Sequence, residues 1–299
     1  MNRAPEGTTC GEIRWSERAP RSFGQSWKQA YQILAGSLRL LWRYPVLIVP
    51  LLPVFPMVLG VEVGVWYLDN LLVVLALIYG VVYALLFSFT ITGNVLLQIH
   101  EGGHPSLVQA VSSPITLRMM PRVFLLGSIW FTLVWIVVLI GRVITALLSR
   151  VLGDKVAERI TDSIFGVTAI AIRMAAFMLI PIMVFEEVGL TQGFRQMKST
   201  LQDQAIAALS GLALTKVVTL LIALIVTTIP QIMEPSQAAT IAAVAFLGTG
   251  WMLTMYLEQM YVAGLYLYTV LPESAVVGIL LESQIGRELP RAPVIESRV

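Results

Sequence analysis

Apolar positions along this chain fall into long unbroken runs separated by polar islands, a pattern that predicts membrane-crossing helices. The island from Met183 to Leu209 organises the rest. Within it Leu190, Phe194, Met197 and Leu201 recur at helical spacing and form one apolar stripe. Gln192, Arg195, Gln196, Lys198, Ser199 and Gln202 take the other faces, and Thr191 is placed to act as N-cap. That division predicts a short amphipathic helix lying in the membrane interface ahead of a crossing.

The same design recurs earlier. Residues 23–42 form a first interfacial helix with Trp27, Tyr31, Leu34, Leu38 and Leu41 on one stripe and Ser26 as cap. Its Lys28, Arg39 and Arg43 suit an anionic headgroup surface. Six crossings follow, at 45–68, 71–99, 122–148, 164–185, 205–229 and 238–271. Pro50, Pro53 and Pro56 oppose a regular helix in the first half of the first crossing. Asp69-Asn70 turns the chain into the second, and residues 149–163 form a charged connection between the third and fourth. Residues 1–22 read as disordered, and 272–299 as a tail. The polar segments near Gly24, Gly103 and Gly189 are spaced by roughly 80 to 86 residues, each ahead of a crossing pair, which fits a threefold repeat. Any six-span chain with short outer loops also looks periodic, so the repeat and the coincidence stand side by side.

Composition sharpens this picture. Of 299 residues 57% are apolar and 13% charged, with mean hydropathy +0.80, which places the chain among polytopic helical membrane proteins. The expected fold is an all-α bundle of six spans with cytoplasmic interfacial helices. A net charge of +2 gives no electrostatic case for nucleic acid. The single cysteine, Cys10, has no partner for an internal disulfide, and no cleavable signal stands out in the first 22 residues. Lys and Arg number 14 on the side of the termini and the two long islands, against 3 in 149–163. The positive-inside rule then puts both termini in the cytoplasm.

The order of an apolar span, FEEVGLTQGFRQMKSTLQDQ, a second span and a closing EQMYVAGLYLYTV resembles a family of uncharacterised multi-pass membrane proteins of bacteria and archaea. The same island is similar to that of the membrane domain preceding some glycerophosphodiester phosphodiesterases. The resemblance covers about Phe23 to Leu271 and places Glu186, Glu187 and Gly189 at the entry to an amphipathic helix ending near Ser199. It departs from the family pattern at Gly193 and Met197. It implies a fold and no hydrolase activity.

Two motifs invite a chemical reading. His100-Glu101-Gly102-Gly103-His104 matches the H-E-x-x-H zinc-protease signature, in which two histidines one helical turn apart bind metal and the glutamate is the general base. Adjacent glycines and Pro105 oppose the necessary helix, and the chain has no third histidine, so an exposed turn is the favoured reading. Glu186-Glu187 lacks the arginine and histidines of glutamate-pair intramembrane proteases and reads as charge at a helix N-terminus.

Ionisable residues inside the apolar runs carry more weight: Glu62, Arg142, Arg173, Lys216 and Glu258. A charge at bilayer depth costs several kcal/mol unless paired or wet, so each is a candidate site or a bundle-locking ion pair. Arg173 and Lys216 both fall roughly 18 Å below the cytoplasmic surface at about 1.5 Å per residue. With Glu258 they are expected to converge in the interior, and Glu62 and Arg142 to pair in the outer third. Thr92, Asn94, Thr215, Thr219 and Thr254 extend a polar interior or tie helices together. These features point first to a channel- or carrier-like bundle for a small, anionic solute or lipid headgroup. Second comes a membrane-embedded assembly partner, working with lipids, other membrane proteins or further copies of itself. An intramembrane zinc peptidase is the outlying third. No cofactor and no enzymatic activity are expected.

Overall fold

The computed structural model of the protein describes residues 23–67, 70–232, 237–270 and 274–281. Its helices are α1 (Phe23–Arg43), α2 (Val54–Tyr67), α3 (Leu71–His100), α4 (Leu107–Ser112), α5 (Pro114–Leu152), α6 (Asp154–Phe185), α7 (Leu190–Ile232), α8 (Gln237–Val270) and α9 (Ala275–Leu281). With no strand among the described residues, the fold is all-α. The expected disorder of 1–22, Cys10, Asp69 and residues 282–299 lie outside the described residues.

Among the described residues, Leu72–His100, Pro114–Arg150 and Asp154–Phe185 are long and apolar enough to cross a membrane. A fourth arises if α1 and the segment after it, bent by 108°, count as one broken span. Leu139, Val143 and Leu147 are exposed along α5, as Leu220 and Leu224 are on α7, and apolar helices with such surfaces are those of a membrane-embedded protein.

Helix α6 is the hub. Two-thirds (67%) of its most apolar window is buried, against 22% for α3 and α5, because it packs on α3, α5, α7 and α8 at once. Phe89 meets Phe177 and Gly93 meets Val184, so α3 runs parallel to α6. Arg173 meets Glu258 and Phe185 meets Tyr266, so α8 is parallel too. Helices α5 and α7 run the other way: Trp130 lies on Phe177 and Gly141 on Phe165, while Ala207 faces Tyr261 and Lys216 faces Glu258.

Several boundaries differ from the sequence expectation, each for a local reason. The island helix and the fifth crossing are one helix, α7, of 43 residues and about 64 Å. Nothing between Ser199 and Ala205 is Gly or Pro, so the polar Gln202-Asp203-Gln204 does not stop it. Thr191 lies inside α7 and does not cap it. Its apolar stripe faces protein: Met197 is buried, and at Gly193 the first turns lie against Leu179 and Met183 of α6. The charged connection 149–163 is helical apart from Gly153, whose φ of +79 makes the α5–α6 turn and which therefore suits only glycine. Helix α5 begins at Pro114 rather than 122, since Ser113 caps it by accepting from Ile115 N at 3.2 Å with proline in the first turn.

The prolines of the first crossing produce two short 3-10 turns, Pro45–Leu47 and Val49–Leu51, before α2 starts. Asn70 caps α3, its Oδ1 accepting from Leu72 N at 3.0 Å. Ser26 is buried inside α1 and is not its cap. The α1 stripe splits, with Leu34 turned to the bundle while Tyr31 and Leu38 stay exposed. The expected tail contains α9, docked on α1 so closely that a Cβ at Gly36 would collide with the Leu280 backbone.

Candidate functional site

Arg173, Lys216 and Glu258 come from three different helices and meet at one carboxylate oxygen. Arg173 Nη2 donates to Glu258 Oε1 at 2.9 Å, and Lys216 Nζ stands 3.7 Å from the same oxygen. Arg173 and Glu258 each lie about 18 Å from the C-terminal ends of α6 and α8, which parallel packing brings level. Antiparallel α7 delivers Lys216 from the other direction. The Glu258 side chain is 2% exposed, Arg173 22% and Lys216 44%, so burial falls off from the acid outward through the cations. Val217 and Leu220, exposed on the same helix, surround Lys216 with apolar surface.

The cluster is electrostatically incomplete. Two cations share one anion, and attraction to a carboxylate about 4 Å away is on the order of 4 kcal/mol at an effective dielectric of 20. That is comparable with the cost of one charge at this depth, so Glu258 compensates one cation and the other remains in surplus. Glu258 Oε2 is buried with no hydrogen-bond partner among the described residues.

The other candidates separate from this site. Arg142 is exposed on α5, and the side chain of Glu62, with any pairing between the two, lies outside the described residues. Thr92, Thr219 and Thr254 bond back to carbonyls four residues earlier, at 3.1, 2.9 and 2.9 Å, and lend no polarity to a path. Asn94 does tie helices, donating to Thr116 Oγ1 of α5 at 2.7 Å.

The histidine motif is not a ligand helix. Helix α3 ends at His100, Glu101 is its C-cap, and Gly102 has φ +76, so His104 does not stand one turn above His100. His100 Nδ1 is instead 2.9 Å from Ser274 Oγ, its ring against Phe185, while His104 is exposed. Among the described residues no group of three or more His, Cys, Asp or Glu side chains is arranged to hold a metal.

Sequence reasoning missed a second polar centre. Tyr266 donates to Glu186 Oε1 at 2.6 Å and Gln196 donates to its other oxygen, joining α6, α7 and α8 where α6 ends. The signal was the acidic pair itself. From the sequence it reads as charge at a helix N-terminus, and only the tertiary approach of Tyr266 and Gln196 gives it partners. Comparison with protein-family models, with curated proteins and with solved structures finds no match.

Proposed function

We propose that the chain is a six-crossing plasma-membrane protein of channel- or carrier-like type whose Arg173–Lys216–Glu258 cluster receives an anionic group, a small solute or a lipid headgroup. The observation carrying this reading is the surplus positive charge: one Glu258 oxygen serves two cations, and Lys216 opens outward among apolar side chains. An anion arriving beside Lys216 would restore neutrality at a depth where an unmatched charge is costly. No catalytic step and no cofactor belong to this proposal. The resemblance to the uncharacterised membrane family and the threefold repeat are parts of it. What supports the repeat is the parallel course of α3, α6 and α8, each the returning helix of a pair.

A second reading, a membrane-embedded assembly partner, has its own support in the outward exposure of Lys216, at 44%. A carboxylate on a neighbouring transmembrane helix, or on a second copy, would then meet Lys216. Lys216→Met separates the two. Under the transport reading the variant keeps its melting temperature within about 2 °C and its oligomeric state in neutral detergent. Anion flux in liposomes, or stabilisation by anionic lipid, falls at least tenfold. If flux and lipid effects are unchanged while a co-purifying partner or an oligomer is lost, assembly is the function.

Orientation is tested independently. With both termini cytoplasmic, a cysteine at Lys155, exposed beside the α5–α6 turn, should react with an impermeant maleimide added to intact cells, and native Cys10 should not. Labelling of Cys10 from outside reverses the topology.

A further inference from the structure

Beside the end of α6, a cavity of about 50 Å³ is lined by Ile115, Arg118, Met119, Arg122, Met183 and Glu187. That is room for several water-sized groups. Arg118 and Arg122 stand one turn apart on α5. Arg122 donates Nη1 to the Val188 carbonyl at 3.1 Å, which fixes its guanidinium and leaves its other N–H groups for a ligand. Among the described residues, neither Arg118 nor Glu187 makes an ion pair, although both border the same cavity.

Glu187 adds a second observation. Its φ is +51, and among the described residues it is the one non-glycine with positive φ. That backbone state is unfavourable for a side-chain-bearing residue and accumulates at functional positions. Gly189, two residues on, would take it freely, yet the strain sits on the acid. Leu125, three residues beyond Arg122 on α5 and 52% exposed, puts an apolar side chain at the cavity's edge. Two cations and one acid at a helix end match a head group that carries both signs of charge.

We propose that this cavity binds a phosphoethanolamine group, its phosphate on Arg118 and Arg122 and its primary ammonium on Glu187. Where the group belongs to a lipid, the acyl chains leave the cavity past Leu125. A trimethylated ammonium has no N–H to give Glu187 and is bulkier, and a glycerol head has no cation at all. The site stands apart from the Arg173 cluster, since Met183 lies about 15 Å along α6 from Arg173. It therefore stands whether or not the proposed transport reading does.

The test uses the full chain in neutral detergent and titrates short-chain phosphatidylethanolamine, phosphatidylcholine and phosphatidylglycerol, with free phosphoethanolamine as a fourth probe. The ethanolamine lipid should bind at least tenfold tighter than the other two. Arg118→Gln should weaken all three lipids at least tenfold. Glu187→Gly should erase the ethanolamine preference while raising the melting temperature, because the backbone strain is relieved. That rise rules out misfolding as the cause of the loss. Lys216→Met should leave the preference intact. Free phosphoethanolamine binding as tightly as the lipid identifies a soluble ligand, and binding of the lipid alone identifies a membrane one. Equal affinity of the parent protein for the three lipids, or a preference that survives Glu187→Gly, overturns the proposal.

Discussion

Glu258→Gln is expected to lower the melting temperature by roughly 6–10 °C and at the same time to increase the response to anions. The first effect follows from stranding charge. Removing one partner of a buried pair costs about 3–5 kcal/mol because the remaining ion has lost both water and counter-ion. For a chain of this size each kcal/mol moves the midpoint by about 2 °C. Here one neutralised acid strands two cations, Arg173 at 2.9 Å and Lys216 at 3.7 Å. The second effect follows from the same arithmetic, since an external anion now meets two uncompensated cations and binding to the folded state stabilises by mass action. Lys216→Met alone should be mild, because that side chain is 44% exposed and its removal leaves a neutral Arg173–Glu258 pair. The triple variant Arg173→Met, Lys216→Met, Glu258→Leu should return most of the stability while losing the anion response, as apolar replacement of buried ions is often neutral or better. Thermal unfolding in neutral detergent, with and without anionic lipid, reads all three. A Glu258→Gln protein as stable as its parent and equally indifferent to anions would show that the cluster is neither lock nor site.

The meeting of these three residues was legible because membrane burial makes charge expensive. An ionisable residue in an apolar run announces a partner, and depth counted at about 1.5 Å per residue selects which partners are level. The all-α architecture was legible for a similar reason, since long apolar runs leave few alternatives. Helix ends were not. The unbroken course of α7 through Gln202-Asp203-Gln204, and the helical 154–163, show that a polar stretch does not by itself interrupt a helix. Only Gly153, where φ is positive, broke the chain there. The Glu186–Tyr266–Gln196 centre and the docking of α9 were invisible because both depend on residues distant in sequence. Nothing in the periodicity of either partner encodes the other. Gly193 departs from the resemblance pattern without consequence for the packing, since a Cβ there would make only ordinary contact with Leu179 and Met183.

Gly211 leaves bare backbone at a contact where a side chain has no room, and Gly211→Ala is expected to cost about 2 kcal/mol. The ring of Tyr261 lies directly on the Gly211 backbone, so a Cβ there would overlap it. Tyr261 is 1% exposed and its hydroxyl donates to the Ala207 carbonyl, so the ring has no free direction in which to swing. Overpacking of this kind costs about 1–3 kcal/mol, partly offset by the up to about 1 kcal/mol that alanine gains over glycine in a helix. Leucine at the same position should be worse, because small residues are what lets two membrane helices approach. The clash has a named relief: Gly211→Ala with Tyr261→Leu should be destabilised by less than the sum of the two single variants, as contacting positions couple. It also reaches the charge cluster. Tyr261 sits one turn beyond Glu258 on α8, and Lys216 little more than one turn beyond Gly211 on α7. Prising α7 from α8 at Gly211 therefore lengthens the 3.7 Å approach of Lys216 to Glu258 and frees the ammonium outward. Gly211→Ala should thus shift the anion response as well as the melting temperature, and Tyr261→Leu in the same chain should restore both. Strict additivity of the two substitutions in both readouts would mean that Tyr261 does not hold α7 and α8 together at Gly211.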